Sequence, residues 1–305
     1  MRGLVPSRYP SPLRYPGGKG KVANYVKLLL LQNDMLGVDY VEPYAGGASV
    51  GLSLLFEDYA STIHINDLNR SVHAFWHAAL YQTDELCALI RTARLEVDEW
   101  ERQRALQDDL SVSGLQLGFS TFYLNRTNRS GIISGGGVIG GKAQDGTWKI
   151  DARFNREDLI QRIRKVSRFS SRIRLTRSDA YELLSDLSTV EPDGSTFVYL
   201  DPPYFVKGEG LYDNFYEPSD HRRIAEAVQD LSCPWLISYD AAPQILDLYK
   251  AQRSLRYSLL HTASSTRLGS EVMFFSPELI LPDSNTAAGI SADQVGEVRR
   301  LLLNV

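Results

Sequence analysis

Two consecutive prolines follow directly after an apolar run and fix where a strand must end. The run, Thr196 to Leu200, has the composition of a buried strand in a parallel sheet, and Asp201-Pro202-Pro203-Tyr204 comes next. Proline lacks a backbone N–H and fixes φ, so neither a strand nor a helix continues through the pair. The carboxylate and the ring of this corner therefore lie at the carboxyl end of a strand, where open α/β sheets bind their ligands.

The chemistry of this corner suits an exocyclic amino group. Asp201 and the carbonyl of Pro202, which Pro203 holds in place, can both accept hydrogen bonds from an –NH₂. The ring of Tyr204 can lie flat on the ring that carries this group. The structural alternative is a rigid exit from the strand with a capping aspartate, and the motif alone leaves both open.

A strand, a glycine turn, a helix and a second strand follow one another between residues 39 and 67. Residues 39–43 form the first strand, and Ser49 to Phe56 is predicted to be a helix. The second strand, residues 62–66, follows about twenty residues after the first. This order is the mononucleotide-binding half of a doubly wound fold.

The turn of this unit indicates an adenosine without phosphates. Tyr44-Ala45-Gly46-Gly47 lacks the G-x-G-x-x-G spacing of a dinucleotide site. We expect Glu42 and Pro43 to lie beside the methionine part of S-adenosylmethionine, and Asp67 to bind the ribose hydroxyls. Alternatively, Asp67 caps the helix predicted for residues 68–81.

A glycine-rich turn at residues 13–21 precedes a helix predicted for residues 22–31. Such a turn admits a ligand close to the main chain, and Lys19 can hold a carboxylate or a ring nitrogen. It is not a phosphate-binding loop, because the four-residue spacer and the final Lys-Ser/Thr are missing.

The α/β pattern resumes near residue 172. The strand at 172–176 ends in Ser178-Asp179, where Asp179 either accepts from a cofactor adenine amino group or caps the next helix. Residues 255–260 and 272–276 are predicted to be a closing pair of strands.

The middle of the chain is basic on an otherwise acidic protein. Residues 121–180 contain 13 Lys or Arg against 5 Asp or Glu, whereas the whole chain has a net charge of −4. Two Arg and two Asn lie between Phe122 and Ile132, ahead of the glycine-rich run 135–142, and residues 155–169 form an Arg-rich helix. These are the residue types that contact bases and phosphates. Asn125 as a cap, the run as a linker and the helix as a solvated face are the structural alternatives.

Composition excludes several classes of protein. The chain is 43% apolar and 23% charged, which is ordinary for a globular protein with a sizeable core. No apolar run approaches the roughly 20 residues of a membrane span, and the N-terminus lacks the apolar core of a signal peptide. Two cysteines, Cys87 and Cys233, cannot form a disulfide framework, so we expect a reduced, cytoplasmic protein. His73 and His77 lack further ligands nearby, and no metal site is predicted.

Together these stretches resemble the Dam-like, D12-class DNA adenine-N6 methyltransferases. The resemblance covers about residues 10–280, and the motif order is that of the family's alpha group. The motifs are Arg14-Tyr15-Pro16-Gly17-Gly18-Lys19, Val41-Glu42-Pro43-Tyr44-Ala45-Gly46-Gly47-Ala48-Ser49-Val50, Asn66-Asp67, Asn125-Arg126 and Asp201-Pro202-Pro203-Tyr204.

The resemblance implies a class I methyltransferase fold of the α/β class, with a Rossmann-like, mostly parallel seven-stranded sheet. Residues 1–70 and 171–305 would form the catalytic domain, and residues 71–170 a helical target-recognition domain. The cofactor would be S-adenosylmethionine and the substrate adenine N6 in double-stranded DNA, methylated by direct displacement on a flipped-out base. The family is compatible with a partner restriction enzyme, and we expect a monomer or a weak dimer.

The resemblance also implies three groups of site residues. The target adenine would be held by Asp201, Pro202, Pro203 and Tyr204. The cofactor would be bound by Tyr15, Gly17, Lys19, Glu42, Pro43, Tyr44, Ala45, Gly46, Asp67, Asp179 and Asp201. DNA would be contacted by Asn125, Arg126, Asn128, Arg129 and Lys142.

One departure from the family leaves the recognised sequence open. Members that read GATC have an aromatic residue and an Asn after the Asn-Arg pair, where this chain has Arg129 and Ser130. Two other functions remain as alternatives: methylation of adenine in RNA, and a catalytically silent relative that binds nucleic acid.

Overall fold

The chain divides into two compact units, a sheet unit and a helical unit. The computed structural model describes residues 10–14, 19–189, 194–205, 216–261, 267–284 and 286–303. Of these, residues 19–69 and 172–303 belong to the sheet unit, and residues 10–14 and 70–171 to the helical unit. Residues 10–14, which the sequence-based division assigns to the catalytic domain, thus group with the helices.

The sheet unit is built on one seven-stranded sheet. Its strands are β1 (Val38–Glu42), β2 (Ala60–Asn66), β3 (Ile173–Thr176), β4 (Thr196–Leu200), β5 (Trp235–Asp240), β6 (Arg253–His261) and β7 (Arg267–Phe275). Their order across the sheet is β3-β2-β1-β4-β5-β7-β6. The first five strands pair in parallel, and β7 is antiparallel to both β5 and β6. This confirms the predicted class I methyltransferase fold, including the closing pair of strands.

The strand order reverses at β1, and this reversal determines where on the sheet the candidate site lies. β1 pairs with β2 on one side and with β4 on the other, and Val41 is in register with His64 and with Val198. The chain therefore leaves β1 and β4 in opposite directions across the sheet, which opens a crevice at their carboxyl ends. Glu42 ends β1 at this crevice, and Asp201 directly follows β4.

Helices pack around the sheet because their apolar faces cover its buried strands. They are α1 (Ala23–Gln32), α2 (Ser49–Phe56), α8 (Ala180–Ser188), α9 (Pro218–Gln229), α10 (Pro243–Leu248) and α11 (Ala292–Leu303). All six residues of β5 are buried. One core cluster joins Val198 and Ile237 of the sheet to Leu184 of α8 and Val228 of α9.

The described part of the helical unit contains five α-helices. They are α3 (Arg70–Tyr81), α4 (Thr83–Thr92), α5 (Val97–Asp108), α6 (Gly114–Thr127) and α7 (Arg156–Arg168). α6 crosses α3 so closely at Gly118 that a Cβ added there would lie 2.6 Å from the carbonyl oxygen of Ala74. Phe75 stacks on Phe122 in its core. No helix in the described part of the chain is both long and apolar enough to span a membrane.

Candidate active site

The glycine turn after β1 is tied to the acid after β2. Gly46 has a φ of +46° and donates its N–H to Asp67 Oδ2 at 2.8 Å, while the N–H of Asn69 donates to Asp67 Oδ1 at 2.9 Å. Asp67 thus shapes the turn after β1 as well as the backbone between Asp67 and Asn69. Burial raises its pKa to about 6, although both N–H groups favour the charged form. A carboxylate in this position retains lone pairs for two ribose hydroxyls.

Asn66 is buried and joins the ends of three strands. In the sequence it is recognisable only as part of the motif Asn66-Asp67. Its side-chain N–H₂ donates to the carbonyls of Pro43 and Ser178, at 3.0 and 2.9 Å. Its oxygen accepts from the Ser178 N–H at 2.9 Å and from the Thr176 hydroxyl at 2.8 Å. This fully bonded amide fixes the loops after β1 and β3 against β2.

Glu42 presents a buried acceptor that lacks a partner. It is only 4% exposed, and its Oε2 forms no hydrogen bond within the described residues. Burial, together with the charges of Asp201 and Asp67, raises its pKa well above the ordinary value. An unpaired buried acceptor is costly, so this atom fits the ammonium group of an amino-acid ligand such as the methionine part of S-adenosylmethionine.

Four of the other predicted cofactor residues lie in the turn after β1. Pro43, Ala45 and Gly46 are buried in the turn, and the hydroxyl of Tyr44 lies 2.9 Å from that of Tyr216. Tyr15 and Gly17 lie outside the described residues.

Asp179 lies at the N-terminus of α8 and acts as its cap. Its Oδ1 accepts from the Tyr181 N–H at 2.9 Å, which is the structural alternative for this residue. It also lines a cleft together with Tyr181, Tyr216, Asp220, Arg223 and Ile224. One carboxylate can serve both purposes, because capping occupies a single lone pair.

At the corner formed by residues 201–204, one oxygen of Asp201 is held by described residues and the other is not. Ser238 Oγ donates to Asp201 Oδ1 at 2.9 Å, and Lys19 Nζ lies 3.2 Å from the same oxygen. Among the described residues, no donor reaches Asp201 Oδ2 or the carbonyl of Pro202. The Asp201 side chain is 24% exposed, whereas Pro202 and Pro203 are buried. The corner therefore offers two acceptors that a ligand amino group can use.

Lys19 holds carboxylates, one of the two roles open to it from the sequence. Its Nζ donates to Glu271 Oε2 at 2.6 Å and to the Tyr204 hydroxyl at 2.7 Å. Tyr204 donates in turn to Glu271 Oε1 at 2.6 Å, and Tyr257 donates to Glu271 Oε2 at 2.8 Å. Buried ionised groups are tolerated when they are paired and hydrogen-bonded in this way.

Charge pairing sets the protonation of this cluster. Burial alone would lower the pKa of Lys19, but the charges of Asp201, Tyr257, Tyr204 and Glu271 raise it well above the ordinary value. Burial would raise the pKa of Glu271, but Lys19 and the two tyrosine hydroxyls hold it below the ordinary value. The pKa of Asp201 is raised by burial and by Glu271, against the opposing effects of Lys19 and Ser238.

Sequence reasoning missed Ser238, Tyr257 and Glu271, although two of them carry a detectable signal. Ser238 interrupts the apolar strand β5, and Glu271 lies in β7 directly before the apolar run Val272–Phe275. A polar or charged residue within a strand that is buried on both faces needs a partner, and that need points to a site.

In the helical unit, three of the five residues predicted to contact DNA have buried side chains. Asn125 binds the backbone of Arg14, and Arg126 donates to the carbonyl of Pro12. Asn128 accepts from Trp100 Nε1 at 2.6 Å and donates to the carbonyl of Ile132 at 2.7 Å. These groups are used inside the unit, so their surroundings favour positioning of the N-terminal segment and of the loop after α6 over contact with DNA.

Arg129 and Lys142 remain exposed. The Lys142 ammonium lies 2.7 Å from Glu101 in an ion pair whose members are 68% and 51% exposed. Exposed pairs of this kind are weak and break readily.

A comparison with known families decides the assignment. The model for the D12 class of N6 adenine-specific DNA methyltransferases matches residues 15–263. The chain belongs to this family. Its chemistry is therefore methyl transfer to adenine, with S-adenosylmethionine as the methyl donor.

Individual relatives are distant. No curated protein sequence matches the chain. PH1948 from Pyrococcus horikoshii, a candidate RNA methyltransferase, covers 87% of this chain and 88% of its own length, at 10% identity and a TM-score of 0.41. The rRNA methyltransferase AviRa from Streptomyces viridochromogenes covers 86% of each chain, at 12% identity and a TM-score of 0.37. Similarity this low says nothing about the substrate of this chain.

Proposed function

We propose that this D12-class methyltransferase acts on adenine N6 at a specific sequence of double-stranded DNA. The observation that carries the proposal is a pair of acceptors beside the crevice between β1 and β4, Asp201 Oδ2 and the Pro202 carbonyl, to which no described residue donates. A target base inside a duplex cannot reach such a corner, so the base must leave the helix, at a cost of a few kcal/mol. Stacking on Tyr204 offsets part of that cost, by roughly 1–3 kcal/mol.

The two acceptors prepare the amino group for reaction. The N6 lone pair is delocalised into the adenine ring, which makes N6 a poor nucleophile. Hydrogen bonds from its two N–H groups to Asp201 Oδ2 and to the Pro202 carbonyl draw the nitrogen toward a tetrahedral arrangement and aim its lone pair. When N6 has formed its new bond to carbon, Asp201 accepts the proton that it must lose. Catalysis on this view is positioning and electrostatics, without a covalent intermediate.

The residues around the turn after β1 hold the cofactor. S-adenosylmethionine supplies an electrophilic methyl group on a sulfonium centre. Glu42 binds its ammonium group, Asp67 its ribose, and Asp179 its adenine amino group. Lys19 neutralises part of the carboxylate charge beside the reacting atoms.

Arg129 and Lys142 contact DNA phosphates from the helical unit. Both carry charge on exposed side chains of the basic segment. Guanidinium and ammonium groups on such surfaces bind the nucleic-acid backbone without reading its sequence.

Tritium transfer from labelled cofactor tests the proposal. Duplex DNA, single-stranded DNA and structured RNA are offered to the wild type, to Asp201→Ala and to Asp230→Ala, an exposed aspartate that serves as a matched control. We expect labelled duplex DNA with the wild type and the control, and a loss of more than about 1,000-fold with Asp201→Ala while the protein stays folded. Wild-type turnover by Asp201→Ala refutes the assigned role, and labelling of RNA alone refutes the proposed substrate. Mapping the methylated adenines in duplex fragments then gives the sequence preference.

A further inference from the structure

Glu271 is a charged residue inside a buried strand, and the proposed reaction gives it no part. It lies on β7 opposite Asp240 on β5 and Tyr257 on β6, and its side chain is fully buried. A carboxylate removed from water is strongly destabilising unless charged and polar partners replace its hydration. The identity of those partners therefore explains why the strand contains it.

The two oxygens of Glu271 connect two residues of the candidate active site. Oε2 accepts from Lys19 Nζ at 2.6 Å, and Oε1 accepts from the Tyr204 hydroxyl at 2.6 Å. Lys19 Nζ also donates to the Tyr204 hydroxyl at 2.7 Å, so the three side chains form a closed ring of hydrogen bonds. Turning either Lys19 or Tyr204 breaks two of these bonds at once, which leaves each of them a single orientation.

We propose that Glu271 is a positioning residue for methyl transfer, which holds the ring of Tyr204 and the ammonium of Lys19 where they act beside Asp201. This inference rests on the proposed function and adds a residue to it. A stacking ring must present its face at a defined distance and tilt, and a shift of about 1 Å in a reacting group is enough to lower the rate substantially. Glu271 supplies that restraint from a strand, which is more rigid than the loop that carries Tyr204.

The charge of Glu271 has an effect separate from its shape. Among the described residues, the titratable groups that face it are Lys19, Asp201, Tyr204 and Tyr257, and Asp240 lies opposite it on β5. Burial would lower the pKa of Lys19, and Glu271 is one of the charges that keep it high. The pKa of Asp201 is raised by burial, lowered by Lys19 and raised again by Glu271. Removal of this charge therefore moves the pKa values of Lys19 and Asp201 downward together.

Two substitutions separate charge from reach. Glu271→Gln keeps the size of the side chain and removes its charge, whereas Glu271→Asp keeps the charge and shortens its reach. Glu278→Gln is the matched control, because it removes the same charge from an exposed position that follows the same strand. Thermal melting verifies that each variant is folded.

The expected results differ between the two variants. Glu271→Gln lowers kcat about 10–100-fold while the KM values for DNA and cofactor change less than about threefold, because positioning is lost and binding is not. Its activity also declines at a lower alkaline pH than that of the wild type, because Lys19 loses its proton sooner. Glu271→Asp lowers kcat but keeps the wild-type pH profile, and Glu278→Gln matches the wild type in both.

A readout independent of turnover follows Lys19 directly. Lysine labelled with ¹³C at the ε carbon is titrated in the full-length protein, and the Lys19 signal is assigned by its loss in Lys19→Arg. We expect Lys19 to stay charged beyond its ordinary pKa of 10.5 in the wild type and to lose its proton at a lower pH in Glu271→Gln than in the wild type. The inference is overturned if Lys19 titrates alike in both proteins, or if Glu271→Gln keeps wild-type kcat and pH profile. If Glu271→Gln does not fold, a change in the pH profile of Glu271→Asp overturns it instead. Should the wild type methylate no nucleic acid, the proposed function fails, and the Lys19 titration still decides the role of Glu271.

Discussion

Removal of Lys19 should destabilise the sheet unit far more than removal of an exposed lysine. The Lys19 and Glu271 side chains are 6% and 0% exposed, with 2.6 Å between Nζ and Oε2. Lys19→Met leaves the buried carboxylates of Glu271 and Asp201 without their cation. Loss of one partner of a buried ion pair typically costs about 3–5 kcal/mol of unfolding free energy, because the remaining charge is uncompensated.

A double-mutant cycle with Glu271→Gln isolates the pair. Glu271→Gln alone should cost about 1.5–3 kcal/mol, the usual value of hydrogen bonds to a charged group, since Lys19 keeps Asp201 as a partner. The double variant should cost less than the two single variants together, by about 2 kcal/mol, since no buried carboxylate remains at position 271. The exposed pair Lys250–Asp247, whose side chains are 75% and 74% exposed, provides the control. We expect Lys250→Met to cost below about 0.5 kcal/mol.

The assay must report on the sheet unit by itself. Urea denaturation gives the overall stability, and native-state hydrogen exchange of amides in β4, β5 and β7 gives the local value. The pKa of Glu271 is depressed, so the stability from its ionised form is present above its ordinary pKa of 4.5 and is lost as pH falls through the lower folded value. The cost of Lys19→Met should therefore shrink in acid. Additivity within about 0.5 kcal/mol, or a cost equal to that of Lys250→Met, would refute the reasoning.

Three further predictions test other parts of the chain. Cofactor affinity should rise as the pH increases through about 6, because Asp67 must ionise to accept ribose hydroxyls, and calorimetry should detect protons released on binding. Equal affinity at about pH 5 and about pH 8 would contradict this. Arg129→Ala and Lys142→Ala should each reduce the slope of log K against log salt for duplex DNA by about 0.9, measured by fluorescence anisotropy, and an unchanged slope excludes phosphate contact. Gly131→Ala should lower unfolding free energy by about 1–3 kcal/mol, because φ is +77° and a Cβ would lie 2.7 Å from a carbonyl oxygen. Gly37 has a similar φ of +80°, but a Cβ added there would meet no atom within 4 Å, so Gly37→Ala measures backbone strain without crowding. Equal melting temperatures of Gly131→Ala and Gly37→Ala would disprove the crowding at Gly131.

The strands at the centre of the sheet could be predicted because their physical signals are local. Thr196–Leu200 is apolar throughout and ends at two prolines, and it forms β4 with those bounds. Strand 62–66 lies within β2, and Ser49–Phe56 is a helix over its whole predicted length. Buried parallel strands and helix starts depend on neighbours in sequence, so a single sequence contains enough information to find them.

The partners of the site residues could not be predicted, because they come from distant parts of the chain. Lys19 and Glu271 are separated by 252 positions, and only the register of β7 against β5 brings the carboxylate to this place. The same limit applies to the residues that the sequence predicts to contact DNA. Asn125 and Arg126 have the composition of a nucleic-acid contact, but the N-terminal residues Pro12 and Arg14 pack against α6 and use their hydrogen bonds. Residue type predicts which chemistry is available, whereas burial decides where it is used.

The charges of the crevice suggest why a cationic cofactor suits it. Glu42, Asp201 and Glu271 are three buried or half-buried carboxyl groups, and the contacts of the sheet unit give two of them one shared cation, Lys19. The third, Glu42, has a pKa raised by burial and by the neighbouring carboxylates, and its Oε2 forms no hydrogen bond within the described residues. A ligand with an ammonium and a sulfonium supplies positive charge beside these carboxyl groups, which favours the ionised form of Glu42. On this account the binding of S-adenosylmethionine favours proton loss from Glu42 as well as from Asp67, and the proton release predicted for calorimetry measures their combined ionisation.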